Sequence, residues 1–146
     1  RVGALVASPG RLAEVEKFLD TVAICANQLG QMAALWGMQN LKEWLAGERI
    51  EILARRAAIE QEVATMPGWE VMGVGAYFAY LKHPYDMASN VLARRLVGDA
   101  SVLALPGTMF TPEGDALGAR SLRIAFANIG VGEIGELAAR LRTLTL

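Results

Sequence analysis

"SLRIAFAN", residues 121–128, decides how this chain is read. Leu122, Ile124 and Phe126 alternate with Arg123, Ala125 and Ala127, the period-2 pattern of a strand with one buried face. The apolar side implies a core. The opposite side holds one charge between two small side chains, where a solvent-washed face would carry Lys, Glu or Thr at several positions. Arg123 beside alanines marks a hollow with a guanidinium at its rim, and an anion fits such a hollow. Pattern alone leaves two readings open. Arg123 is either a surface or structurally paired arginine, as most charged residues are, or an anion fork. The fork has a physical basis, because a planar guanidinium matches a carboxylate with two parallel hydrogen bonds.

Working outward, "WEVMGVGAYFAYL" (69–81) reads as two short strands around Gly73 and Gly75. "HPYDMASNVLARRLVG" (83–98) has a break at Pro84, a helix N-cap at Asp86, a stripe of Met87, Val91, Leu92 and Leu96, and a stop at Gly98. "SVLALPG" (101–107) is a short apolar strand, and "TPEGDALGAR" (111–120) a loop. After 121–128, the last strand, "GVGEIGELAARLRTL" (130–144) is a helix with Glu133 near its start and Arg140 and Arg142 near its end, matching the helix dipole. Its glycines lack the lysine and the βαβ setting of a phosphate loop.

The N-terminal part has a different character. In "RVGALVASPG" (1–10), Val2, Ala4 and Val6 alternate with Gly3, Leu5 and Ala7, predicting a strand over 1–7. Ser8 is placed to cap a helix that has Pro9 at its first position. Leu12, Val15, Phe18 and Leu19 share one face of it. "TVAICANQLGQMAALWGM" (21–38) is the most apolar run, but Asn27, Gln28 and Gln31 interrupt it. A membrane span needs ~20 mostly apolar residues, so a buried helix is the reading, with Cys25 as a small buried hydrophobe. "LAGERIEILARRAAIEQEVATM" (45–66) is a long amphipathic helix with the i,i+4 pairs Glu51–Arg55 and Arg56–Glu60, ended by "MPG". A chain that starts inside a strand is expected to be a piece of something longer.

The element order predicts an α/β (α+β) fold: a small antiparallel or mixed sheet with helices packed mainly on one side. The bulk properties agree with a single domain that buries a core, since the chain has 146 residues, 53% of them hydrophobic. Its 14 Lys+Arg against 15 Asp+Glu give a charge of -1, which points away from nucleic acid. One cysteine rules out an internal disulfide and makes a reducing compartment the default. One histidine and one cysteine argue against a zinc or iron–sulfur site within this chain. His83, just before a proline and without a Ser, Cys or ligand cluster around it in sequence, reads as a turn residue.

The ordered set "RVGALVASP", "GAYFAYLKHP", "VLALPGTMF" and "LRIAFAN" resembles the C-terminal part of the class I and II, fold type I, pyridoxal-phosphate-dependent aminotransferases, over nearly the whole chain. The resemblance implies a remnant of the large cofactor-binding domain and a linking helix over 1–45, and the small C-terminal domain over 46–146. It gives Arg123 the family's grip on the substrate α-carboxylate and Arg1 the contact to the cofactor phosphate, and sets Phe110 in a loop near the substrate entrance. The implied parent is a cytoplasmic homodimer that uses pyridoxal 5'-phosphate to move an amino group between an amino acid and a 2-oxo acid, without nucleic-acid or membrane partners.

One departure is informative. The family's Schiff-base lysine sits in an S-x-x-K context, whereas Glu14, Gln39 and Ala79 stand three residues before Lys17, Lys42 and Lys82. No catalytic residue is therefore expected in this segment, which alone should be inactive. The alternatives within the fold are a lyase or decarboxylase and an aminotransferase-like transcriptional regulator. Outside it stands a free-standing α/β ligand-binding module.

Overall fold

Residues Ser121–Ala125 form the expected last strand, β4, in a computed structural model that describes residues 2–144. Two units divide the chain, Arg1–Gly47 and Glu48–Leu146. The second holds all the strands. Its sheet joins β1 (Glu70–Gly75), β2 (Phe78–Lys82) and β3 (Leu105–Pro106) to β4 in the order β1-β2-β4-β3, antiparallel throughout. This is the predicted fold class.

The alternation in the strands sorts into two faces. Ala79 and Leu81 of β2 stand opposite Ile124 and Leu122 of β4, and all four are buried. They join one core with Phe126, with Ile59 and Val63 from α3 (Lys42–Ala64), and with Ile134, Ala138 and Leu141 from α6 (Val131–Arg142). Leu92 and Leu96 of α4 (Ser89–Ala100) complete it. The other face of β2 and β4 carries Phe78, Tyr80 and Lys82 against Ala125, Arg123 and Ser121.

Local chemistry sets the boundaries. Gly68, which follows α3, has φ +77, a conformation open to glycine without steric cost. The glycines expected between the hairpin strands lie inside β1 instead, where the register breaks between Val71 and Gly73, the usual place for a strand glycine at a bulge. The two-residue turn is Ala76–Tyr77, with Ala76 at φ 48. Asp86 is not an N-cap: α4 starts three residues later, and Asp86 pairs with Arg120 at 3.4 Å. Gly98 lies within α4, which ends at Ser101 in the left-handed region. The expected loop over 111–120 contains a short helix, α5 (Ala116–Ala119), capped by Asp115.

In the first unit, α1 (Pro9–Val22) starts with proline after Ser8, as expected, but the Ser8 side chain makes no capping hydrogen bond. α2 (Gln28–Asn40) is capped by the Asn27 side chain, which accepts from Gly30 N at 2.8 Å. Neither helix has a buried residue, so the reading of 21–38 as a buried helix is corrected. Cys25, in the break between them, is exposed rather than core. Residues 2–7 pair with no strand among the described residues. Their alternation is a capacity for pairing, and a ladder forms only when a second strand supplies the hydrogen bonds.

Candidate functional site

The face of β4 turned away from the helical core is organised around Arg123. Antiparallel pairing sets Tyr80 of β2 beside it on one flank and Leu105 of β3 on the other. From the same two flanks come two aromatic rings. The guanidinium carbon lies 4.2 Å from the ring centroid of Phe78 and 4.1 Å from that of Phe110, well inside the ~6 Å range of cation–π attraction.

Phe110 is held there by a tight turn. The segment Gly107–Met109 is a single 3-10 turn after β3, and the Gly107 carbonyl accepts from Phe110 N at 2.9 Å. The Tyr80 hydroxyl donates to the same carbonyl at 3.3 Å and Thr111 Oγ1 at 3.4 Å. A Cβ on Gly107 would come within 2.5 Å of the Tyr80 hydroxyl oxygen and 2.6 Å of the Gly118 carbonyl, so only glycine brings the chain this close.

The electrostatics set Arg123 apart. Arg55, Arg56, Arg95, Arg120, Arg140 and Arg142 each pair with a carboxylate, on Glu51, Glu60, Asp99, Asp86, Glu136 and Glu62 respectively. Arg11, Arg49 and Arg94 have no carboxylate partner among the described residues but lie on exposed stretches of helix. Arg123 is half-buried and, among the described residues, no carboxylate or carbonyl accepts from it. A guanidinium carries five N–H donors. Here they lie next to apolar rings with no protein acceptor among the described residues, which suits a planar anion arriving from outside.

Sequence reasoning missed Phe78 and Tyr80. The signal was present in "AYFAYLK" (76–82), whose residues 78, 80 and 82 share a strand face, but only the register with β4 puts that face beside Arg123. Arg1, expected at the cofactor phosphate, lies outside the described residues.

His83 lies between β2 and α4, outside any helix or strand, as the turn reading has it, but it is buried. It follows β2, is 1% exposed, and its ring lies nearly parallel to that of Tyr85 with centroids 6.2 Å apart. Among the described residues neither ring nitrogen has a hydrogen-bond partner. Burial first, and then the charge of Arg120, holds its pKa below the ordinary 6.5, against an opposing influence from the nearby backbone of Tyr85 and Ala119.

Among the described residues no lysine is set apart in a buried pocket. Lys17 is exposed and paired with Glu14, Lys82 is paired with Glu70, and Lys42 is exposed at the start of α3. Among the described residues no three of His, Cys, Asp or Glu group to hold a metal, and no helix is long and apolar enough to cross a membrane. A separate hollow of about 320 Å³ beside α6 is lined by Glu133, Glu136 and Arg140. Glu133 accepts from Gly130 N, and Glu136 pairs with Arg140, so its charges are already engaged.

The sequence profile described as Aminotransferase class I and II matches residues 1–141. The Arabidopsis thaliana protein named aromatic aminotransferase ISS1 is 27% identical over 136 residues, which cover 91% of this chain and 33% of that protein. The kynurenine aminotransferase structure from Pyrococcus horikoshii superposes with a TM-score of 0.74 at 23% identity, over 92% of this chain and 34% of that one. A PLP-dependent aminotransferase from Streptococcus suis gives 0.72 at 20%, over 93% and 35%. The two structural matches establish likeness of fold. The chain spans about a third of the length of these relatives.

Proposed function

The chain belongs to the class I and II aminotransferases, and from that premise we propose that it is the part of a pyridoxal-phosphate-dependent transaminase that grips the substrate's α-carboxylate through Arg123. The whole protein would transfer an amino group between an amino acid and a 2-oxo acid, and would act as a homodimer. Bound pyridoxal phosphate supplies the electron sink for such chemistry. This segment holds no lysine set up to carry the cofactor, so its own contribution is to bind and orient, and alone it is inactive. Arg1 is assigned to the cofactor's phosphate by the same resemblance.

One observation carries the reading: a half-buried guanidinium, walled by two rings, whose donors have no acceptor among the described residues. A carboxylate and a guanidinium share a plane and make two parallel hydrogen bonds, and mounting the fork on the sheet fixes its direction. Charge-assisted bonds of this kind contribute about 1.5–3 kcal/mol each. Both the amino acid and the 2-oxo acid present the same carboxylate, so one fork serves both half-reactions.

The test is Arg123→Lys in the full-length enzyme. An ammonium keeps the charge but not the bidentate geometry. KM for both the amino acid and the 2-oxo acid should rise by about tenfold or more, the loss of one such bond, with cofactor absorbance unchanged. Unaltered KM values would remove Arg123 from the site.

A further inference from the structure

We infer that Phe78 and Phe110 are positioning residues: together they clamp the Arg123 guanidinium so that only its donor edge is open to a carboxylate. The inference rests on the reading of Arg123 as the carboxylate fork and goes past it to ask what holds the fork.

An arginine that must bind an anion poses a problem of orientation. The commonest way to fix a guanidinium is a carboxylate partner, as with six other arginines in this chain. Such a partner would occupy the donors and offset the charge that the ligand needs. Left unfixed, the long side chain would lose rotamer freedom on every binding event.

Aromatic rings avoid both difficulties. Their negative faces attract the cation while accepting none of its in-plane hydrogen bonds. Ring centroids at 4.2 and 4.1 Å put one ring at contact distance from each flank of β4. The two supports differ in kind. Phe78 belongs to β2, whose ladder with β4 runs through Phe78↔Ala125. Phe110 comes from the turn after β3 and is anchored through the Gly107 carbonyl, which also takes the Tyr80 hydroxyl. Tyr80 therefore ties the second wall back to the strand that carries the first. Both rings are only partly covered, 37% exposed for Phe78 and 44% for Phe110, so neither is a core residue whose removal must unfold the sheet.

The experiment uses the chain Arg1–Leu146 labelled with 15N at arginine, with acetate as the probe. The Nε–Hε resonance of Arg123 is assigned by its loss in Arg123→Lys. Acetate at high millimolar concentration should shift that resonance, and Phe110→Leu should weaken the acetate dissociation constant about threefold to tenfold, the cost of ordering one long side chain. Phe110→Tyr keeps the ring face and should restore the affinity. Backbone amides of β2 and β4 should stay in place in both variants.

A ligand-free measurement stands beside this one. In the unsubstituted chain the Arg123 Hδ and Hε protons should be displaced upfield by the ring currents of the two phenylalanines. An acetate affinity unchanged in Phe110→Leu overturns the clamp and leaves the fork standing. An Arg123 resonance blind to acetate in the unsubstituted chain overturns both. Should Phe110→Leu fail to fold, the absence of an upfield displacement in the parent chain decides against the clamp.

Discussion

Phe18 and Phe126 carry the same ring into opposite surroundings. Phe18, on α1, is 66% exposed, and Phe126, just past β4, is wholly buried. The contrast extends to their regions. α1 and α2 bury nothing, although Leu29, Met32, Leu35, Trp36 and Met38 crowd the second of them. In the second unit the strands and α3, α4 and α6 close around one continuous core. Both regions have well-formed helices, so local signals such as Ser8–Pro9 and the Asn27 cap suffice to start a helix. Helices of 14 and 13 residues are nonetheless marginal without tertiary cover. Local sequence sets what forms, and burial sets what it is worth.

The strongest attempt to break this comparison removes the same ring from each region. Phe126→Ala should destabilise the chain by about 3–5 kcal/mol, the usual loss for a buried phenylalanine. Phe18→Ala should change stability by no more than about 0.5 kcal/mol, as at an ordinary surface position. Urea unfolding of both variants reads the difference, and equal losses would mean that α1 is covered after all.

The same contrast explains what was legible in the sequence. The hairpin, β4, α3 and α6 were readable because each has one face in the core, and half-burial writes a period into the chain. The two i,i+4 pairs of α3 formed as expected, Glu51–Arg55 at 3.0 Å and Arg56–Glu60 at 3.1 Å. Cover was not readable. Apolar composition reports that residues 21–38 want burial, not that anything buries them, so α2 and Cys25 were expected inside and lie exposed. Residues 2–7 form no strand for a related reason, since a ladder requires a second strand. Long-range pairings were equally silent, as with Asp86 and Arg120, 34 residues apart. At the site, Arg123 stood out as a lone charge among small residues, whereas Phe78 needed the strand register before it could be connected to that charge.

His83 sharpens the comparison at intermediate scale, because the chain's single histidine lies in the covered region. Its pKa is lowered in the folded protein, chiefly by burial. A neutral group in the fold that binds a proton near pH 6.5 when unfolded favours the native state most above that pH. This contribution should fade as the pH falls from about 6.5 through the lowered native value, with a slope of at most about 1.4 kcal/mol per pH unit. Urea midpoints between pH 7.5 and pH 5, on the order of the titration range of histidine, should therefore decline more steeply for the parent than for His83→Leu. Parallel curves would mean that the imidazole reaches solvent.

The finest test compares two ion pairs of identical length. Lys17–Glu14 on α1 and Arg142–Glu62 between α6 and α3 are both 2.7 Å. The first joins residues three apart on one helix, with both side chains more than 70% exposed. The second spans 80 residues of chain, is about half as exposed, and Arg142 also donates to Thr65 Oγ1 at 2.6 Å. An exposed pair offers little, because water and salt screen it and two flexible side chains must be ordered to make it. The pair between helices is pre-ordered by packing that already exists, since Val63 and Leu141 on those helices belong to the same core. Glu62→Gln should therefore lower stability by about 0.5–1 kcal/mol at low salt, an effect that shrinks in molar NaCl, while Glu14→Gln should change nothing measurable. If Glu14→Gln costs as much as Glu62→Gln, the worth of an ion pair in this chain follows its length and not its surroundings, and the distinction between the two regions does not extend to their surfaces.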